Sequence, residues 1–292
     1  MASLDTSNVV LFLLVLVSSL YFTAEARKLV ESDETEQPLL FQYHNGPLLS
    51  GKISVNLIWY GKFKPSQRAI VSDFIASVAS SKPTVAQPSV ATWWKATEKY
   101  YQLTKRPSSL DISLGSQILD DNYSLGKSLM NQQIVELGSK GAQKNAINVV
   151  LTSADVAVDG FCSSRCGTHG SALGSSSNGH SNSLISGSNP PLVAPNNDVG
   201  LDGMVINIAS LLAGTVTNPF GNGYYQGPKE APLEAASACP GIYGKRAYPG
   251  YAGHHPVDAT TGASYNAHGV NGRKYLLPAL FDPTTSNCAT LA

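Results

Sequence analysis

The sequence predicts an α/β fold (with α+β as the neighbouring class), a single layered domain in which helices cover a mixed sheet. Three observations predict it. Apolar runs of strand length lie at Ile53–Tyr60 and Ala146–Thr152. Stretches with helical spacing separate them, and strands alternating with helices build layered sheets. A third stretch, Asp202 to Gly214, is apolar nearly all round, so it must be buried on every side.

Taken in order, the chain begins with VVLFLLVLVSSLYF from Val9 to Phe22, followed by Ala24 and Ala26 just before Arg27. A membrane-spanning helix needs about 20 apolar residues, more than this run supplies. Small residues at alternate positions form a cleavage site, so residues 1–26 read as a secretory signal peptide. Its first positions depart from the usual pattern, with Asp5 and no Lys or Arg. The expectation is a secreted, extracellular protein with no membrane span after cleavage. Residues 27–40 are charged and contain few apolar residues, which predicts a disordered mature N-terminus. The remaining 41–292 form the domain.

Asn45-Gly46-Pro47 is turn chemistry and leads into Ile53–Tyr60, which alternates at first and then becomes wholly apolar. That change predicts a strand running into the core, ended by Gly61. Pro65 to Ser80 is predicted helical, with Pro65 in the first turn and Ile70, Phe74, Ile75 and Val78 on one face. Pro83 and Pro88 break the chain. A second helix is predicted from Ser89, carrying Val90, Trp93, Trp94 and Thr97 and closed by Tyr100-Tyr101. This aromatic stripe reads as core, with a sugar-lining role as the competing reading. Tyr123 to Gly138 has the spacing of an amphipathic helix, and Ala146–Thr152 is a second buried strand. From Gly167 to Pro195 the chain is rich in Gly, Ser, Asn and Pro, which predicts a flexible loop. After Pro219 it is irregular apart from a short strand at Lys274–Leu277.

The chemistry is mostly one of exclusions. Lys plus Arg and Asp plus Glu both number 20, and phosphate neutralisation needs a basic face, so a nucleic-acid partner is excluded. There is no H-E-x-x-H, G-x-S-x-G or P-loop motif. No catalytic residue, metal or cofactor is therefore assigned. Cys162, Cys166 and His169 look at first like part of a zinc cluster, but Cys239 and Cys288 stand apart and supply no second pair. In an oxidising compartment all four cysteines are disulfide candidates, with three pairings open. His254-His255 sits in a Gly/Pro loop and reads as two solvated side chains. Asn122-Tyr123-Ser124 makes Asn122 a glycosylation candidate, and Asp120 and Asp121 suggest that it is exposed.

Six strings carry a resemblance. They are YHNGPLLSGKISVNLIWY from Tyr43, PSVATWWKATEKYY from Pro88, CSSRCGTHG from Cys162, PNNDVGLDGMVINIASLLAGTVTNPF from Pro195, GPKEAPLEAASACPGIYG from Gly227 and GRKYLLPALFDP from Gly272. Together, in this order, they resemble the EXORDIUM (phosphate-induced protein) family of plants. The resemblance implies a protein of the cell-wall space linked to brassinosteroid-dependent growth and cell expansion, with no established enzymatic activity. Its expected partner is an extracellular protein or a cell-wall glycan. Between Gly170 and Pro190 the chain departs from the family pattern, lacking a C-P-G-Q-C motif and an aromatic A-W-P-F-H-Q-P stretch. A fainter resemblance is to bacterial secreted zinc peptidases, whose helix reads like H-E-L-x-E-A-x-T-D-P. Matching Thr217-Asn218-Pro219 to T-D-P places Ser210, Leu211 and Gly214 at the three functional positions. None of these side chains can ligate zinc well or act as a base. The resemblance thus implies a peptidase scaffold that has lost its metal site. The rival expectation is an extracellular hydrolase acting on wall polymers or peptides at another site.

Overall fold

The structure, a computed structural model, describes residues 40–80, 85–104, 109–141, 144–161, 166–170, 176–177 and 192–291. The predicted signal peptide, the predicted mature tail to residue 39, Cys162 and most of the 170–190 segment lie outside the described residues.

The described chain opens with β1 (Gln42–Tyr43) and β2 (Gly51–Tyr60). Helix α1 (Pro65–Val78) follows, then α2 (Val90–Lys95) and α3 (Glu98–Gln102). Strand β3 (Leu110–Asp120), β4 (Ser128–Leu129), α4 (Asn131–Ser139) and β5 (Ala146–Thr152) complete the first half. Next come β6 (Ala157–Val158), β7 (His169–Gly170), β8 (Ser176–Ser177) and the long helix α5 (Val199–Thr217). The remainder holds β9 (Tyr224–Tyr225), β10 (Ala267–His268), β11 (Lys274–Tyr275), β12 (Leu280–Asp282) and β13 (Asn287–Ala289).

The α/β class holds, but the main sheet differs from the mixed one expected. Among the described residues it has three strands in the order β3-β2-β5, and both pairings are parallel. Antiparallel pairing occurs in separate two-stranded ribbons, β1 with β9, β7 with β8, β10 with β11 and β12 with β13. Strand β2 is central, and every residue from Val55 to Tyr60 is buried, so neither of its faces is left to water there. Its side chains alternate between two cores. Ile53, Val55, Leu57 and Trp59 pack with Phe74 of α1, Trp93 of α2 and Val205, Ile208 and Leu212 of α5. Ile58 and Tyr60 point the other way, into a smaller cluster with Leu129, Leu137 of α4 and Val158.

Strand β3 is the element that sequence periodicity missed, because its run LDISLGSQILD mixes apolar positions with Asp, Ser, Gly and Gln. Its pairing with β2 shifts register opposite Asn56. There the buried Asn56 accepts a hydrogen bond from the Ser116 N–H (2.8 Å) and donates to Asn148 Oδ1 (2.8 Å), joining both edge strands. A Cβ at Gly115 would fall 2.2 Å from Asn56 Oδ1, so only glycine lets the amide in.

The helix predicted over 123–138 begins only at Asn131. Tyr60 Oη accepts from the Leu125 N–H (2.8 Å) and donates to the Gly126 carbonyl (2.7 Å), while Tyr123 and Gly126 take positive φ. These bonds lock a turn where periodicity predicts a helical turn. The helix after Ser89 is split into α2 and α3, with Ser89 Oγ capping α2 by accepting from the Thr92 N–H. Helix α5 is longer than predicted at both ends and is capped by Asp198, whose side chain accepts from the Leu201 N–H. It is long and apolar enough to cross a membrane by length and composition, yet its buried face belongs to the main core.

Candidate functional site

Helix α5 presents the three positions that sequence comparison with peptidases singles out, and each behaves differently. Ser210 Oγ donates to the Ile206 carbonyl one turn back (3.0 Å), a local bond within its own helix. Leu211 is half-buried, less than its all-apolar helix predicted, while Val205, Ile208 and Leu212 are buried as expected. Leu211 packs beside Gly167, where an added Cβ would lie 2.5 Å from its Cδ1. Gly214 is buried, and its missing side chain leaves room for two others. A Cβ there would lie 2.3 Å from Glu234 Oε2 and 3.0 Å from His169 Nε2.

Those two side chains form the most concentrated chemistry among the described residues. His169 Nε2 and Glu234 Oε2 are 2.6 Å apart, with side chains only 8% and 4% exposed. Glu234 Oε1 accepts from Asn218 Nδ2 (2.8 Å), and Asn218 Oδ1 accepts from the Gly223 N–H (2.7 Å). Each part has a local cause. β7 pairs with β8 and runs along α5, which aims the His169 ring at the glycine gap. Asn218 caps the end of α5 with its N–H bonded to the Gly214 carbonyl. Glu234 is held by its own N–H, which donates to Ser237 Oγ (2.7 Å). An imidazole oriented by a carboxylate is general acid–base material, but here both carboxylate oxygens are engaged and the pair is enclosed. Among the described residues no three His, Cys, Asp or Glu side chains converge as a metal set.

A second concavity, of about 300 Å³, lies between the end of α1, the start of α2 and β10, lined by Gln87, Ser89, Thr92, Trp94, Asp111 and His268. Three of its polar side chains bond to one another. Thr92 Oγ1 donates to Gln87 Oε1 (2.6 Å), and Gln87 Nε2 donates to Ser89 Oγ (3.2 Å). His268 titrates below the usual imidazole range, through burial first and the nearby Lys274 charge second.

The other expected residues are spread out. Cys239 and Cys288 form a disulfide (S–S 2.00 Å, Cα–Cα 5.8 Å), while Cys162 lies outside the described residues. Asn122 is exposed, as its acidic neighbours suggested. The aromatic stripe is core, with Trp93, Trp94, Tyr100 and Tyr101 all buried, and of these Trp94 alone reaches the wall of the concavity.

The family model described as the phosphate-induced protein 1 conserved region matches residues 41–189 and 180–291. The chain belongs to the phosphate-induced protein 1, or EXORDIUM, family. It is 61% identical to Protein PHOSPHATE-INDUCED 1 of Nicotiana tabacum, over 98% of this chain and 99% of the relative. Protein EXORDIUM of Arabidopsis thaliana is 61% identical over 96% of this chain and 98% of its own length. EXORDIUM-like 1 of Arabidopsis thaliana is 60% identical over 89% of this chain and 93% of its own. No solved structure matches. The two matched pieces meet within the 170–190 segment, where the sequence departs from the EXORDIUM pattern. The alignment to the tobacco relative spans 310 positions, more than the 292 residues here, so it includes positions this chain lacks.

Two members of the buried cluster escape motif searching. Glu234 lies within the EXORDIUM string GPKEAPLEAASACPGIYG, and its one sequence signal is a carboxylate set against Leu233, Ala235 and Ala236. Asn218 was legible only as a helix end. Their partner His169 is 65 residues from Glu234 in sequence, and no spacing rule joins them.

Proposed function

We propose that this EXORDIUM-family chain acts outside the cell as a non-catalytic regulator of plant growth and cell expansion. It would work within brassinosteroid-dependent growth by binding a wall glycan or an extracellular protein. The Cys239–Cys288 disulfide carries the extracellular part, because such bonds persist where thiols are not kept reduced. The non-catalytic part rests on Glu234, whose oxygens are both taken up by His169 and Asn218 inside the fold. In this reading the cluster is a clamp that fills the notch at Gly214 and ties β7 to α5. It also suits a peptidase scaffold whose metal-binding positions have become Ser210, Leu211 and Gly214.

One observation favours a second reading, an extracellular hydrolase: a buried imidazole–carboxylate pair is the kind of group acid–base enzymes use. Glu234→Gln separates the two, since glutamine keeps the shape and can still accept from Asn218, while its NH2 faces His169 as a donor and cannot serve as a base. Protein secreted from plant cells is expected to begin near Arg27, carry glycan on Asn122 and promote growth equally well with Glu234→Gln. Activity lost in a Glu234→Gln protein of unchanged melting temperature would instead support the hydrolase, and retention inside the cell would overturn the extracellular reading.

A further inference from the structure

Among the described Phe, Tyr and Trp side chains the largely exposed one is Tyr248, which lies outside the stripe weighed above as a sugar site. It stands on a short hairpin in the last third. Tyr243 and Ala252 are buried at its base, with Leu276 in the same small core. Gly244 and Gly253 sit in contact there: a Cβ at Gly244 would lie 1.9 Å from the His254 carbonyl oxygen, so the strands close on each other. Higher up, the His254 N–H donates to the Lys245 carbonyl (2.8 Å). Near the tip Tyr248 and Tyr251 exchange both backbone hydrogen bonds (3.1 and 2.8 Å) around Pro249-Gly250, with Gly250 at φ 89°. The backbone is thus anchored below and paired above.

Lys245, Arg246, Tyr248 and His254 face water, and Tyr251 is half-buried. Tyr248 is 65% exposed, and its ring centroid lies 5.2 Å from that of Tyr251 at 40°. The His254 ring meets Tyr251 edge-on at 5.8 Å, and Tyr251 Oη and His254 Nδ1 are 3.2 Å apart. Lys245 and Arg246 are exposed on the same hairpin and make no ion pair among the described residues. No Asp or Glu occurs from Ala235 to Val257. In a chain with equal numbers of acids and bases, this is a local basic stretch interleaved with aromatic rings.

We propose that this hairpin binds a polysaccharide carrying carboxylate sugars. The inference rests on the extracellular binding reading and names the partner for it. The negative face of a tyrosine ring attracts the slightly positive C–H face of a sugar, and tyrosine loses little side-chain freedom on binding. Lys245 and Arg246 supply the charge for the carboxylates, Arg246 in the forked geometry that suits them. A convex hairpin fits side-on stacking against an extended sugar chain. An acidic peptide would be recognised through a groove or an unpaired strand edge, and the tip offers neither, since its backbone groups bond each other.

The test is affinity electrophoresis of the secreted, full-length protein through gels containing polygalacturonate, with a neutral glucan for comparison. Retardation by polygalacturonate alone is expected. The Tyr248→Ala/Tyr251→Ala protein should bind at least tenfold more weakly, and so should Lys245→Glu/Arg246→Glu. Tyr248→Phe/Tyr251→Phe keeps the rings and should bind like the unaltered protein, which separates ring stacking from damage to the fold. No retardation, equal retardation of the alanine variant, or displacement by polyglutamate as readily as by polygalacturonate would each overturn the proposal. A protein that is secreted and promotes growth but ignores polygalacturonate overturns this inference alone, whereas one absent from the medium overturns the extracellular reading beneath it.

Discussion

Between Gly51 and Thr152 the backbone largely satisfies itself: β2 is hydrogen-bonded on both sides and helices cover both faces. Between Asn218 and Ala289 the strands have only two or three residues each, and side chains take over the task. Asn266 donates to the Tyr243 and Leu277 carbonyls (2.8 and 2.7 Å) and accepts from the Leu277 N–H (2.8 Å). Asn218 does similar work at the end of α5, and Cys239–Cys288 closes the region covalently. Short ribbons leave many backbone groups unpaired, so an irregular region needs buried amides where a regular one has ladders. The contrast predicts a few sharply sensitive positions in the second region and sensitivity spread over apolar contacts in the first.

The largest expected effect lies where the two regions meet, on α5. Leu212 is 3% exposed within the main core, so Leu212→Asp buries an unpaired charge and should prevent folding. Leu211→Asp should be much milder, because Leu211 is only half-buried. Soluble expression and circular dichroism of the two proteins check this ranking.

Next is the disulfide. Its cysteines are 49 residues apart, and removing a cross-link over such a loop costs about 4 kcal/mol by the chain-entropy relation. Urea unfolding of Cys239→Ser/Cys288→Ser against the unaltered protein measures it. A loss near zero would mean that the irregular region does not depend on its staple.

The buried asparagines give the most direct comparison. Asn266→Ala removes three hydrogen bonds, to one N–H and two carbonyls, and at about 1 kcal/mol net for each it should rank just below the disulfide. Asn56→Ala, inside the regular sheet, removes the bonds to the Ser116 N–H and Asn148 Oδ1 and a long one to the Gly141 carbonyl (3.4 Å), and should cost somewhat less. Equal costs in parallel denaturation curves would remove the distinction between the two regions.

A smaller effect depends on pH. Burial raises the Asp282 pKa, but hydrogen bonds from Lys99 and Thr284 and the Lys99 charge outweigh it, so the group titrates below the usual carboxylate range. The depressed folded value means that its stabilisation is present above the unfolded pKa and is lost as pH falls through the folded one. Asp282→Asn should therefore lower the melting temperature at pH 7, with the gap closing in acid. A gap that stays constant from pH 7 to pH 2 would show that the ionised form contributes nothing to the join between α3 and β12. The smallest effect is Ser210→Ala, expected within about 0.5 kcal/mol because the hydroxyl bonds only its own helix.

The sequence by itself determined the elements whose residues repeat with a clear period. The bounds of β5 were legible to the residue, α1 nearly so, and α5 was recognised as a buried helix before its neighbours were known. Those signals are local, because one apolar face or an all-apolar surface prescribes burial wherever the segment lies. Tertiary structure decided the rest. Strand β3 exists because β2 offers it a parallel edge, and residues 123–130 are no helix because Tyr60 holds the turn at Leu125 and Gly126 and β4 then pairs with β6. The cluster of His169, Asn218 and Glu234 assembles across three distant segments at a glycine whose empty volume receives them. A missing side chain leaves no periodic trace, and only the folded backbone shows which groups fill the space beside it.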